Sequence, residues 1–366
     1  MSDTQSAPTA NQYPCQSCGA QVEFQPGANS LSCPYCGAQQ EIEQVETIVE
    51  RRSFEELQQK PRRPRDQIPP RLYVCQQCAA HTESDTWSTE CQFCGAALVA
   101  DTFDPNLIAP EGVIPFQIDQ NGSREHLQRW IKTRWFAPNA LKKVSEANKT
   151  KSTYLPHWVW DANTQTAYRG YRGRDYYVTV TRNGRTTRER RTHWTPVRGQ
   201  VRRKFHNVPT SASTHVNQKH LDDIGSDWPI PSALGYQPEY LSGHQTQRYD
   251  IEPEAGLQNA KVKMERQIQR DIRRDIGGDR QRISSMDPRY SNIKYRLLLM
   301  PVWMVAYMFR GKPWQVLVNG ITGKISGERP YSPWKIAFAV LLAVLAIVGF
   351  LVLDHHYHLL LFPRAA

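Results

Sequence analysis

Four Cys-x-x-Cys pairs carry the clearest chemistry in this chain: Cys15/Cys18, Cys33/Cys36, Cys75/Cys78 and Cys91/Cys94. They use all eight cysteines of its 366 residues. Fourteen residues separate the first two pairs and twelve the last two. Each pair of pairs is a four-thiolate set on two tight turns, which suits tetrahedral Zn²⁺ at about 2.3 Å per Zn–S bond. Gly19, Gly37 and Gly95 follow three of the four second cysteines, where a metal knuckle needs unusual backbone angles. The pattern repeats with a period of about 60 residues and reads as two tandem zinc ribbons, each holding one Zn²⁺. The competing readings are weaker. A redox dithiol wants one pair near a βαβ pattern, and structural disulfides want a signal peptide; neither is visible. Four cysteines per ion leave no open coordination position, so the metal is expected to be structural. A module of about 30 residues depends on that metal for its folding energy.

The second chemical feature is basic. Between residues 169 and 204 lie eleven arginines and Lys204, against only Asp175 and Glu189. The net +10 of this stretch is nearly the whole formal charge of +11. Tyr171, Tyr176, Tyr177, Trp194 and Phe205 are interleaved with it. Arg182, Arg185, Arg188, Arg190, Arg191, Arg202, Arg203 and Lys204 are the candidates for an anionic surface, lipid or nucleic-acid phosphate. The alternative is a solvated β face kept soluble by arginine.

Other groups carry less. His355, His356 and His358 read as a polar cap rather than a metal site. Gly320-Ile321-Thr322-Gly323-Lys324 has the wrong spacing for a phosphate loop, and Ile325 stands where a hydroxyl is needed. No catalytic constellation is present, so the chain is expected not to be an enzyme.

The elements around these residues predict an α+β chain. Residues 1–12 read as a disordered tail, 13–42 as the first ribbon, 43–70 as a Pro/Arg-rich linker with one short helix capped by Ser53, and 71–100 as the second ribbon packed on Trp87. An α+β domain rich in antiparallel strands follows over 101–330. Ser123 is read as the cap of a helix bearing Leu127, Trp130, Ile131 and Trp135 that ends at Pro138, with a short second helix from Asn139. Tyr154–Trp160 is a buried strand, echoed by Leu299–Val305; each has Pro two residues before Trp and a later aromatic-Arg-Gly step, as two related β units would. Residues 171–208 are β structure with a hairpin at Asn183-Gly184, and 210–250 are irregular. A helix over 254–276 carries Leu257, Met264, Ile268, Ile272 and Ile276 on one stripe and stops at Gly277-Gly278. A strand at 296–309 and a hairpin through Asn319-Gly320 close the domain. Ile336–Leu353 is an uncharged apolar run of 18 residues, so 331–353 is a transmembrane helix with an interfacial lead and 354–366 a short extracytoplasmic tail. Lys324, Arg329 and Lys335 precede the run and Arg364 follows it, which puts the N-terminal region in the cytoplasm.

The paired ribbons, the segments VIPFQID (113–119), RWFAPN (134–139), DIGGDRQRISS (275–285) and VLVNGITGKISGERPYSPWKI (316–336), and the C-terminal span resemble a family of bacterial membrane-anchored tandem zinc-ribbon proteins. The resemblance covers most of residues 13–353. Members often carry a label similar to primosomal protein N′ (replication factor Y), a superfamily II helicase. What the resemblance implies is fold and topology: a single-pass protein of the bacterial inner membrane. The chain has no Walker A motif, so helicase activity does not come with it. The function expected is a non-enzymatic, membrane-tethered zinc-ribbon adaptor on the cytoplasmic face, binding a protein partner or an anionic surface such as lipid. The alternative is a nucleic-acid-binding factor, related to replication or transcription, without its own ATPase.

Overall fold

The computed structural model describes residues 10–11, 13–43, 49–59, 71–74, 81–84, 86–90, 97–100, 108–134, 150–182, 185–214, 216–309, 312–327 and 333–357. The chain is a mixed α+β protein organised by three long antiparallel strands. In order, its elements begin with β1 (Ala10–Asn11), β2 (Glu23–Phe24), β3 (Ser30–Ser32), β4 (Gln39–Glu41), β5 (Arg52–Ser53) and α1 (Phe54–Gln59). Then come β6 (Arg71–Val74), β7 (His81–Ser84), β8 (Thr86–Glu90), β9 (Ala97–Ala100), β10 (Gly112–Val113) and α2 (Gln120–Lys132). The long elements are β11 (Thr150–Arg182), β12 (Arg185–Ser211) and β15 (Arg280–Phe309). Between them lie α3 (Gln218–Gly225), β13 (Leu234–Gly235), β14 (Gln245–Gln247) and α4 (Pro253–Ile276). β16 (Lys312–Asn319), β17 (Ile325–Gly327) and α5 (Pro333–Tyr357) follow.

β11 is the central strand. Along one edge it pairs with β12, from His157↔Ser211 to Arg182↔Arg185. Along the other it pairs with β15, from Thr150↔Val305 to Gly173↔Arg280. Burial explains the sequence of each part. From Tyr154 to Ala162 every β11 residue is buried, because both faces are covered. Trp158 and Trp160 pack with Tyr295, Leu257 and Ala260 on one side; Leu155 and Val159 pack with Leu221, Ile224 and Trp228 on the other. Further out, Thr164, Thr166, Tyr168 and Gly170 stay buried while Gln165, Ala167, Arg169 and Tyr171 are exposed. That period of two marks a sheet with one dry face. α4 covers the dry face, burying Leu257, Ala260, Met264, Ile268, Ile272 and Ile276 in one stripe. Gly277 and Gly278 then take φ of +64° and +76° and end the helix.

Several expectations change. The cap of α2 is Asp119, whose Oδ1 accepts from Gly122 N at 2.7 Å. Ser123 is inside the helix, buried, with its hydroxyl donating to the Gln120 carbonyl. Trp135, Pro138 and the helix from Asn139 lie outside the described residues. Part of the expected linker belongs to the body: β5 pairs with Lys294–Tyr295, and Phe54 and Leu57 are buried, Phe54 against Trp160 and Tyr295. Two apolar residues three apart give α1 a core-facing side, which an extended linker lacks. Its predicted cap holds, since Glu56 N donates to Ser53 Oγ. The strand expected at 296–309 starts at Arg280, and α3, capped by Asn217, lies in the stretch expected to be irregular. The tail and the second cysteine module also join the main sheet, in the order β1-β9-β8-β14-β11. The side chains of Trp87, His355 and His356, and all of His358, lie outside the described ones.

The two echoed segments lie side by side, Leu155 opposite Met300 and Pro156 opposite Leu299. Their likeness stops there. Tyr168-Arg169-Gly170 runs through mid-strand, whereas Phe309 ends β15.

α5 contains the candidate span Trp334–Leu353, 20 residues with mean hydropathy 3.2 and none of them buried. At 1.5 Å per residue this is about 30 Å, the thickness of a bilayer's hydrocarbon core. A core helix would have its apolar side chains covered; here Ile347, Leu351 and Val352 are more than half exposed.

Candidate metal centre and arginine stalk

The first cysteine module is built on two matching knuckles. Gly19 N donates to Cys15 O at 2.8 Å and Gly37 N to Cys33 O at 3.0 Å. Gly19 and Gly37 have φ of +74° and +73°, and a Cβ at either would meet nothing within 4 Å. Glycine is therefore required by backbone angle and not by space. β2, β3 and β4 form the sheet beneath, with Val22, Phe24, Leu31 and Ile42 buried.

The sulfurs of Cys15, Cys18, Cys33 and Cys36 all lie within 4.8 Å of one another. Cys15 Sγ is 3.5 Å from Cys36 Sγ and Cys18 Sγ is 3.6 Å from Cys33 Sγ. Tetrahedral Zn–S bonds of 2.3 Å require sulfurs about 3.8 Å apart, whereas a disulfide requires about 2.05 Å. The donor set thus fits one metal ion. Its electrostatics point the same way. Backbone N–H groups of Ser17 and Cys18 bring the Cys15 thiol down to about 6. Cys36 also receives a backbone N–H, from Ala38, yet its three neighbouring sulfurs push it up to about 12. As thiolates at these distances the four sulfurs would repel one another, and a cation between them would relieve that repulsion.

The module is docked. Phe24 N donates to Ser242 O at 3.1 Å, Ser242 Oγ to Val22 O at 2.8 Å, and Tyr240 OH to Asn29 Oδ1 at 2.8 Å. The Phe24 and Tyr240 rings meet edge to face at 5.4 Å. Cys75, Cys78, Cys91 and Cys94 lie outside the described residues, so the geometry speaks for one ion.

The basic stretch forms β12 and the outer half of β11, and the structure divides its members. Arg203 points toward α4 and holds Asp271 with two hydrogen bonds, at 2.5 and 2.8 Å. That contact keeps the Asp271 carboxyl below the usual carboxylate range. Arg172 Nε donates to Ile276 O at the helix end, and Tyr168 OH donates to Asp275. Arg203, expected on an anionic surface, is instead a clamp between stalk and helix. Arg190 faces Asp175 at 3.5 Å and Arg191 faces Glu189 at 3.4 Å. Asp175 also accepts from Thr192 and contacts Arg280, and Thr192 leads in holding its carboxyl low. Arg188 lies over the Tyr177 ring at 5.0 Å. Arg182 and Arg185 are register partners at the tip, with only the Arg182 side chain described. Arg202 and Lys204 are exposed on the face away from α4. On that face Arg169 stands directly opposite Arg198, a like-charge pair that costs stability without an anion nearby.

The loop at Gly320 is a turn tied down at both ends. Asn319 Oδ1 accepts from Ile321 N and Thr322 N, and Lys324 Nζ reaches Ser226 Oγ at 2.7 Å and Asp227 at 3.1 Å. Sequence reading passed over Glu111, whose side chain is buried beside Leu297 N and Arg52. It also missed a cleft of about 320 Å³ lined by His157, Trp228, Asp222 and Lys263. Both assemble residues from distant segments, which leaves no local spacing to detect.

No family model and no solved structure matches the chain. Over 255 residues it is 27% identical to the uncharacterized protein YdjG of Bacillus subtilis (strain 168), an alignment that takes in 66% of this chain and 70% of that protein.

Proposed function

We propose that this chain is a non-enzymatic membrane adaptor. α5 crosses the cytoplasmic membrane once, the body stands on the cytoplasmic side, and both cysteine modules hold structural Zn²⁺. The observation that carries this reading is the polarity of the sheet. β17, the last strand before α5, lies at the end where Val316, Val305 and Thr150 are neighbours. The arginine-rich hairpin tip is at the other end. From Thr150 to Arg174 the strand runs about 80 Å at 3.3 Å per residue. That the body ends a few residues before the span does not by itself bring this stretch to the leaflet. A protein anchored at one end of a stalk and charged at the other is suited to holding a soluble anionic partner away from the membrane. The alternative reading, a nucleic-acid-binding factor without its own ATPase, names one such partner.

The test uses the full-length chain and a variant lacking 174–193, with Gly173 and Trp194, which are register partners, joined by Asn-Gly. Both proteins should sediment with membranes and carry the same metal. Only the complete chain should retain cross-linked partners. Recovery of the chain in the soluble fraction, or identical partners on both, would overturn the reading.

A further inference from the structure

The stalk changes character at Gly173. β15 begins opposite it, at Arg280, and α4 has already ended at Ile276. Beyond this point β11 and β12 continue, among the described residues, without a third strand as a two-stranded arm, paired from Arg174↔His193 to Arg182↔Arg185. About nine residues per strand give it a reach of about 30 Å. A lone hairpin is marginal in water, so this arm is not explained by packing of its own. Tyr176 and Tyr177 are 47% and 58% exposed, and every described arm arginine is exposed.

Its charge has one sign to offer. The only acids, Asp175 and Glu189, are taken up by Arg190, Arg280 and Arg191. Arg174, Arg182 and Arg188 have no ion pair among the described residues. An acidic protein, a leaflet and a nucleic acid all complement this charge, and the geometry of the arm separates them. The arm lies about 80 Å of strand from the anchored end, which disfavours the leaflet. The basic residues of 169–204 are arginine eleven times in twelve, and the guanidinium fork matches phosphate oxygens as it does carboxylates, so the residue type fits a nucleic acid without excluding an acidic protein. Finally, a two-stranded ribbon fits the major groove of B-form DNA, about 12 Å wide, which the three-stranded part with its helix does not. We infer that the arm enters a groove of duplex DNA and holds its phosphates. Arginine and the threonines at 179, 181, 186 and 187 are backbone-contacting types, so binding depends little on sequence. This rests on the adaptor reading and names its partner.

The experiment uses the full-length chain in nanodiscs of neutral lipid and a fluorescent mixed-sequence duplex, from about 50 to 200 mM salt. The wild type should bind, with log K falling linearly against log salt. Replacing Arg174→Gln, Arg182→Gln and Arg188→Gln together should weaken binding at least tenfold at low salt. It should also flatten the slope by about 2–3, at roughly 0.9 per lost phosphate contact. The corresponding triple Lys variant should keep the slope, which excludes misfolding as the cause. Absence of duplex binding at low salt, or an unchanged slope in the Gln variant, overturns the inference. So does displacement of the arm by vesicles of anionic lipid with the duplex ignored. If the duplex is ignored but deletion of 174–193 still abolishes partner capture, this inference fails and the adaptor reading stands. If the chain proves soluble yet binds duplex through the arm, the adaptor reading fails instead.

Discussion

Glu111 offers a test of what burial does to a charge in this fold. Its side chain is 3% exposed. Oε2 accepts from Leu297 N at 2.5 Å, and Oε1 lies 3.1 Å from Arg52 Nε without a hydrogen bond. Burial wins over these contacts and pushes the carboxyl from 4.5 up to about 7. Between these two values the folded protein holds a proton that the unfolded chain has released. Stability from this group is therefore complete below about pH 4.5 and lost as pH rises toward 7. The shift from 4.5 to about 7 corresponds to about 3 kcal/mol at 1.36 kcal/mol per unit. Glu111→Gln keeps the shape and cannot ionise. Urea unfolding of the full chain in mild detergent, followed by tryptophan emission from pH 4.5 to 7.5, should show the wild type losing about 3 kcal/mol relative to the variant. A difference that stays constant across this window would refute the reasoning. A wild type that gains relative stability with rising pH would do so too, because the carboxylate would then be ionised in the native state and Arg52 would outweigh burial.

Cys18→Ser should lower the zinc content by one ion per chain from about two, measured by elemental analysis; unchanged content would remove the first module as a site. Ile268→Ala, at a position with no exposure on α4, should cost about 2–5 kcal/mol in the same unfolding assay, and a loss under about 1 would mean that the helix is not a core element. A reporter active only outside the cytoplasm should give signal when fused at the C-terminus and none at the N-terminus. The purified chain should hydrolyse no ATP, with or without DNA; hydrolysis abolished by Lys324→Ala would contradict the non-enzymatic reading.

Some of this protein is written locally. The knuckles are one case: Cys-x-x-Cys followed by glycine fixes a turn, and two turns fix a four-sulfur set, because the chemistry needs only near neighbours. The stripe from Leu257 to Ile276 and its Gly-Gly stop are another, since helix periodicity and left-handed glycine are short-range properties. The uncharged run from Ile336 is long and apolar enough to cross a bilayer, which its length and composition alone decide. What the sequence could not give is which residues meet across distance. Residues 280–295 are not legible as part of the strand: Ile283, Met286, Tyr290 and Ile293 do not alternate strictly, and they pack against a core cluster that includes the stripe of α4. Arg203 and Arg202 are neighbours of the same type, yet one clamps Asp271 and the other faces water, a difference set by the side of the sheet that α4 covers. Phe54 belongs to the core only because Trp160 and Tyr295 are there to receive it. The distance between the arginine tip and the end of the sheet that leads to α5 is likewise invisible in chain order. It follows from antiparallel pairing, which brings residue 150 beside residue 305 and sends residue 182 to the far end.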